Sequence, residues 1–126
     1  MKLRFAVFGT GFWSNFQIPG WLESDEVELV ALHNRTRSKA EALAAKFGSP
    51  AVYDDPEELL MSEQLDFVDI ITDVDTHLKF ARMAAEKGIG VVCQKPLAAS
   101  WKDAKELVDL CRKHQVKLFV NENFRW

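Results

Sequence analysis

Two short stretches hold residues whose types and spacing suit chemistry. The first is Gly9-Thr10-Gly11-Phe12-Trp13-Ser14, which follows an apolar run and precedes a helical one. Gly9 permits a tight turn, Gly11 lets the backbone approach a pyrophosphate, and free N–H groups at a helix start face phosphate oxygens. Ser14 stands where such fingerprints carry a third glycine; it is small enough for close helix–strand packing and adds a hydroxyl. A plain glycine turn before a helix would use the same residues. The second is Cys93-Gln94-Lys95-Pro96, directly after another apolar run. A lysine beyond the carboxyl end of a strand can hand over a proton or orient a hydroxyl or carbonyl when burial or a neighbouring cation lowers its pKa. A Lys-Pro pair in a solvated turn is the competing reading. Pro96 fixes the backbone there and suits a cis peptide.

A third stretch, His33-Asn34-Arg35-Thr36-Arg37, bears on which dinucleotide fits. An acid at the end of the second strand holds the ribose 2′-hydroxyl of NAD, and a nearby Arg accommodates the 2′-phosphate of NADP. No carboxylate stands at that strand end, since Glu26 and Glu28 lie at its start. Asn34 can bond a hydroxyl, and Arg35, Thr36 and Arg37 suit a phosphate. The reading favours NADP and keeps NAD open; two solvated arginines at a helix entry are the alternative.

These residues need elements to position them. Strands are expected at Leu3 to Phe8, Val27 to His33, Ala51 to Tyr53, Phe67 to Ile71, Gly90 to Cys93 and Lys117 to Val120. Helices are expected at Trp13 to Leu22, disturbed by Pro19; from a capping box at Ser38-Lys39-Ala40-Glu41 to Phe47, closed by Gly48; from Asp55-Pro56; at Thr76 to Lys87, closed by Gly88; and after the cap Ser100. In the last of these, Ala104, Leu107, Val108 and Cys111 share a face. The strands are mostly apolar rather than strictly alternating, as when both sheet faces are covered. The expectation is α/β: a single-domain, doubly wound parallel sheet of Rossmann type, six strands in the order 3-2-1-4-5-6.

Composition agrees. The chain has 126 residues, 48% apolar and 28% charged, with 16 Lys plus Arg against 19 Asp plus Glu and a net charge of −3. That is one globular domain. The acidic balance argues against a nucleic-acid partner, and no apolar run reaches the roughly 20 residues a membrane span needs. Met1-Lys2-Leu3-Arg4 starts like a signal peptide, but Gly9 and Gly11 cut the apolar stretch and no cleavage pattern follows. Two cysteines make no disulfide framework, which points to a reducing cytoplasm. No His, Cys, Asp or Glu cluster has metal-ligand spacing. His33 and His114 read as structural or solvated, Cys93 as a small buried apolar group, and Trp13 as a cofactor cover or ordinary packing.

Gly9-Thr10-Gly11, Asn34-Arg35-Thr36, Asp75-Thr76-His77, Gln94-Lys95-Pro96-Leu97-Ala98 and Glu122-Asn123-Phe124-Arg125 together resemble the N-terminal Rossmann domain of the glucose–fructose oxidoreductase / inositol dehydrogenase / MocA family. The resemblance spans the chain. It implies hydride transfer between NAD(P) and a sugar- or cyclitol-like hydroxyl or carbonyl, a small-molecule substrate, and room for a homo-oligomer. It makes Lys95 the lysine of the family's Glu-Lys-Pro motif, near the nicotinamide and the reacting carbon. Gln94 replaces the glutamate, keeping its hydrogen bonds but not its charge. Thr72 and His77 match positions lining the cofactor cleft, Asp73 and Val74 replace a stretch where the family often has proline, and Asn123 and Arg125 lie near the crossover to a second domain. That substrate domain is expected to be absent from residues 1–126, which would leave the isolated chain inactive.

Three functions fit these residues: an oxidoreductase domain, a dinucleotide-binding sensor or regulatory module without chemistry, and a methyltransferase using S-adenosylmethionine. The last would be favoured by an acid where Asn34 stands. A short-chain dehydrogenase is excluded, because the only tyrosine, Tyr53, has Glu57 rather than lysine four residues on.

Overall fold

The structure is a computed structural model and describes residues 1–122. Six strands, β1 (Leu3–Phe8), β2 (Val27–His33), β3 (Ala51–Tyr53), β4 (Phe67–Ile70), β5 (Gly90–Gln94) and β6 (Leu118–Asn121), form one parallel sheet in the order β3-β2-β1-β4-β5-β6. Five helices connect them: α1 (Ser14–Leu22), α2 (Arg37–Ala44), α3 (Pro56–Ser62), α4 (His77–Ala85) and α5 (Trp101–Lys113). The order reverses between β1 and β4, the topological switch point where such sheets bind ligands beyond their strand ends.

The apolar runs are continuous because alternate residues serve opposite layers. On β1, Phe5 and Val7 pack with Ile18, Leu32, Ala40 and Leu43 under α1 and α2. Ala6 and Phe8 pack with Ile70, Phe80 and Leu107 under α4 and α5. Gly9 ends β1 at φ 106°, a left-handed conformation that favours glycine.

Two helix starts differ from expectation. The Ser38–Glu41 capping box does not form: α2 begins at Arg37, after Thr36, which makes no side-chain cap. Arg37 instead pairs with Glu41 one turn on, at 3.0 Å, drawing that carboxylate away from the backbone. The helix expected from Thr76 begins at His77 after a single 3₁₀ turn, Val74–Thr76. The Thr76 hydroxyl lies within hydrogen-bond reach of Thr72 Oγ1 (2.6 Å) and the Asp73 carbonyl (2.7 Å), a local alternative to helical pairing. The caps Asp55 and Ser100 form as expected, accepting from the backbone N–H of Glu57 and Asp103.

Candidate functional site

A crevice of about 580 Å³ opens at the carboxyl ends of β1, β2 and β4. It is lined by Gly9, Thr10, Gly11 and Phe12 after β1, Asn34, Arg35 and Thr36 after β2, and Thr72 after β4. Most of the residues expected at a cofactor therefore meet here. Seven residues outside that expectation join them: Asn15, Lys39, Ile71, Asp73, Thr76 and Phe80, with His33, which the sequence suggested was structural. Only the position of His33 at a strand end hinted at this placement.

The two glycines have different roles. A Cβ on Gly9 would lie 2.8 Å from the Ile71 carbonyl oxygen and 3.0 Å from the Thr72 N, so the turn is closed to larger residues. A Cβ on Gly11 would meet nothing within 4 Å. It would project into open space, which is what a backbone approached by a phosphate requires. Ser14 is fully buried; its hydroxyl and its backbone N–H both donate to the Gly11 carbonyl. It ties the loop to the start of α1 and does not line the crevice. The Thr10 hydroxyl and His33 Nδ1 are buried without a partner among the described residues. Both line the crevice, and buried polar atoms of this kind need a bonding partner. His33 is packed between Phe8 and Phe80, and burial holds its pKa below the ordinary value, so its ring is neutral near pH 7.

Charge at the strand end is divided. Asn34 donates its amide to the Thr36 carbonyl at 3.0 Å, leaving Oδ1 as an acceptor for a hydroxyl. Arg37 is held by Glu41 and does not line the crevice, whereas Arg35 and Lys39 line it and make no ion pair among the described residues.

Lys95 and Gln94 lie apart from this crevice, on a larger apolar groove of about 1020 Å³ over β4, β5 and β6, which Trp13 also lines. Lys95 is exposed, its backbone N–H donates to Gln94 Oε1 at 2.8 Å, and the Lys95–Pro96 peptide is cis, as the sequence suggested. His77 is 1% exposed and faces backbone carbonyls rather than the crevice. Asn123 and Arg125 lie outside the described residues. No group of three or more His, Cys, Asp or Glu suited to a metal occurs among the described residues, and no described helix is long and apolar enough to cross a membrane.

A glycine turn at the switch point, an open phosphate approach and unpartnered crevice atoms define a dinucleotide-binding domain. The model of the oxidoreductase family with an NAD-binding Rossmann fold matches residues 3–122, and the chain belongs to that family as its NAD-binding domain. It is 38% identical to D-apiose dehydrogenase of Paraburkholderia graminis over 99% of this chain and 33% of the relative. It is 33% identical to D-xylose 1-dehydrogenase (NADP(+)) 2 of Haloferax volcanii over 98% of this chain and 38% of the relative. The crystal structure of an oxidoreductase from Agrobacterium radiobacter in complex with NAD+, L-tartaric acid and magnesium superposes with a TM-score of 0.96 at 34% identity. That match covers 100% of this chain and 37% of the other. The chain thus spans about a third of the length of the relatives it matches.

Proposed function

We propose that this domain serves an oxidoreductase that oxidises a sugar hydroxyl, or reduces the matching carbonyl, with NADP or NAD. The observation that carries the cofactor half is the Gly9–Gly11 turn, one glycine closed by Ile71 and Thr72 and the other open. The sugar class is supported by the names of the relatives, which act on D-apiose and D-xylose. When bound, the nicotinamide supplies the hydride chemistry. The chain's own residues do the rest. The backbone N–H groups around Gly11 and the start of α1 bind the pyrophosphate. Asn34 Oδ1 accepts from a ribose hydroxyl, and Arg35 with Lys39 receives a 2′-phosphate. Lys95 takes the substrate's hydroxyl proton, or returns it, at the substrate oxygen. The substrate side would come from chain beyond this domain. Two buried, free cysteines fit work in a reducing cytoplasm.

Asn34 is uncharged, so it accepts NAD without repelling NADP, and Arg35 tips the preference to NADP. Calorimetric titration of the chain tests this. NADP(H) is expected to bind at least as tightly as NAD(H), Arg35→Ala to remove the difference, and Gly11→Val to abolish both. A preference for NAD(H) that survives Arg35→Ala would refute the specificity. A non-catalytic sensor would bind the cofactor equally well and is separated from the enzyme by the Lys95 variant described below.

A further inference from the structure

His77 joins the two loops that the proposed reaction depends on. Its Nε2 lies 3.0 Å from the Thr72 carbonyl oxygen, in the loop after β4 that lines the crevice. Its Nδ1 lies 3.0 Å from the Pro96 carbonyl oxygen and 3.2 Å from that of Leu97, in the turn that begins with Lys95. No other side chain among the described residues hydrogen-bonds both loops. The rest of each loop is fixed locally: Thr76 bonds within the first, and Gln94 Oε1 accepts from the Lys95 N–H in the second.

All three partners of His77 are carbonyl oxygens, which only accept. A neutral imidazole has one donor and one acceptor nitrogen, so it would set a lone pair against a carbonyl at one end. The ring nonetheless sits between the two loops with a nitrogen within bonding distance of a carbonyl oxygen at each end, one contact a hydrogen bond and the other close polar packing. At 1% exposure the ring is held by these contacts rather than by water.

We propose that His77 is a positioning residue. Reaching both loops, it ties the Lys95 turn to the cofactor-side loop and sets where the Lys95 amine stands relative to the bound dinucleotide. The inference rests on the reading of Lys95 as the proton-handling group. A flexible amide in place of the rigid ring, as in His77→Gln, keeps the crevice residues and releases the turn. Cofactor affinity then persists while the placement of Lys95 is lost, a split that general loosening of the fold would not produce.

The test uses the 126-residue chain. Reductive methylation with and without saturating NADP+, read residue by residue by mass spectrometry, reports how far the cofactor shields Lys95. At least fivefold protection is expected in the unaltered chain, falling below twofold in His77→Gln while the NADP+ dissociation constant changes by less than threefold. Equal protection in both proteins overturns the bridge's role. No protection of Lys95 in the unaltered chain refutes its placement at the cofactor, and the inference with it. Parallel loss of affinity and protection reduces His77 to a structural residue and overturns the proposal. Should His77→Gln fail to fold, the same two measurements on His77→Asn decide: loss of Lys95 protection with NADP+ affinity kept upholds the bridge, and equal protection or parallel loss overturns it.

Discussion

A carboxyl group in the middle of a sheet is costly when ionised. Asp69 on β4 is fully buried, accepts from Trp21 Nε1 at 2.6 Å and Gln17 Nε2 at 3.1 Å, and has no partner for Oδ1 among the described residues. Burial pushes its pKa from 3.8 up to about 6, and the two donors only partly restrain that rise. The folded chain therefore holds this proton more tightly than the unfolded chain does. The contribution to stability is fully present below pH 3.8 and is lost as pH rises through about 6. His33, with a lowered pKa, acts in the opposite direction, losing stability as pH falls below its ordinary 6.5. Comparing Asp69→Asn with the unaltered chain separates the two. Urea unfolding at pH 5 and 7.5 is expected to show the variant gaining on the unaltered chain as pH rises; a constant difference would refute the assignment. Lys95 has no comparable side-chain partner among the described residues: it is exposed and follows β5 at the groove. In the active enzyme Lys95→Ala is expected to lower kcat by about 10²–10⁴-fold with little change in cofactor affinity. Normal kcat, or failure through lost cofactor, would remove Lys95 from the chemistry and favour a binding module.

At the scale of elements, caps decide where helices begin. Ser100 Oγ accepts from the Asp103 N–H at 3.1 Å, and Asp55 Oδ1 from the Glu57 N–H at 2.9 Å. Ser100→Ala is expected to cost about 1 kcal/mol, read as a lower urea midpoint with an unchanged slope. Its effect stays local because α5 is anchored by Leu107, Leu110 and Cys111. Both caps were legible in the sequence because the side-chain acceptor and the backbone N–H donor are neighbours in the chain. The Ser38–Glu41 box was misread because its glutamate has a rival partner, Arg37, which periodicity does not weigh. On α5, Leu107 and Cys111 are buried as expected, but Ala104 and Val108 are only half-buried and Leu110 is buried beside them, so the packed stripe is rotated. The glycine turn was readable because a backbone requirement shows directly in residue type. The His77 bridge was not, because its three partners are backbone carbonyls, which carry no mark in a sequence.

At the scale of the whole molecule, cofactor binding and turnover are expected to be separable. Sheet order followed from the alternation of strands and helices, since parallel crossovers are right-handed and reverse at the nucleotide site. Which part of a face stays bare does not follow from periodicity. The α1 side of β4, β5 and β6 carries the apolar groove, with Phe16 and Phe119 more than half exposed and Trp13 half exposed. Lys95 stands on this open side, whereas the pyrophosphate turn is enclosed between β1, β4 and α1. Among the described residues Lys95 thus stands on an open apolar groove, apart from the crevice. Much of an enzyme's rate comes from fixing the reacting atoms together, and an unheld substrate forfeits that contribution. The 126-residue chain is therefore expected to bind NADP(H) but to turn over D-apiose, D-xylose and related sugars far below the order of 1 per second of ordinary enzymes. Steady-state assays with both cofactors, run beside the calorimetric titration on the same preparation, check this. Binding without turnover agrees with a domain whose substrate contacts lie elsewhere. Turnover at ordinary rates would mean that residues 1–126 complete the site themselves, and that the open side of Lys95 closes around the sugar.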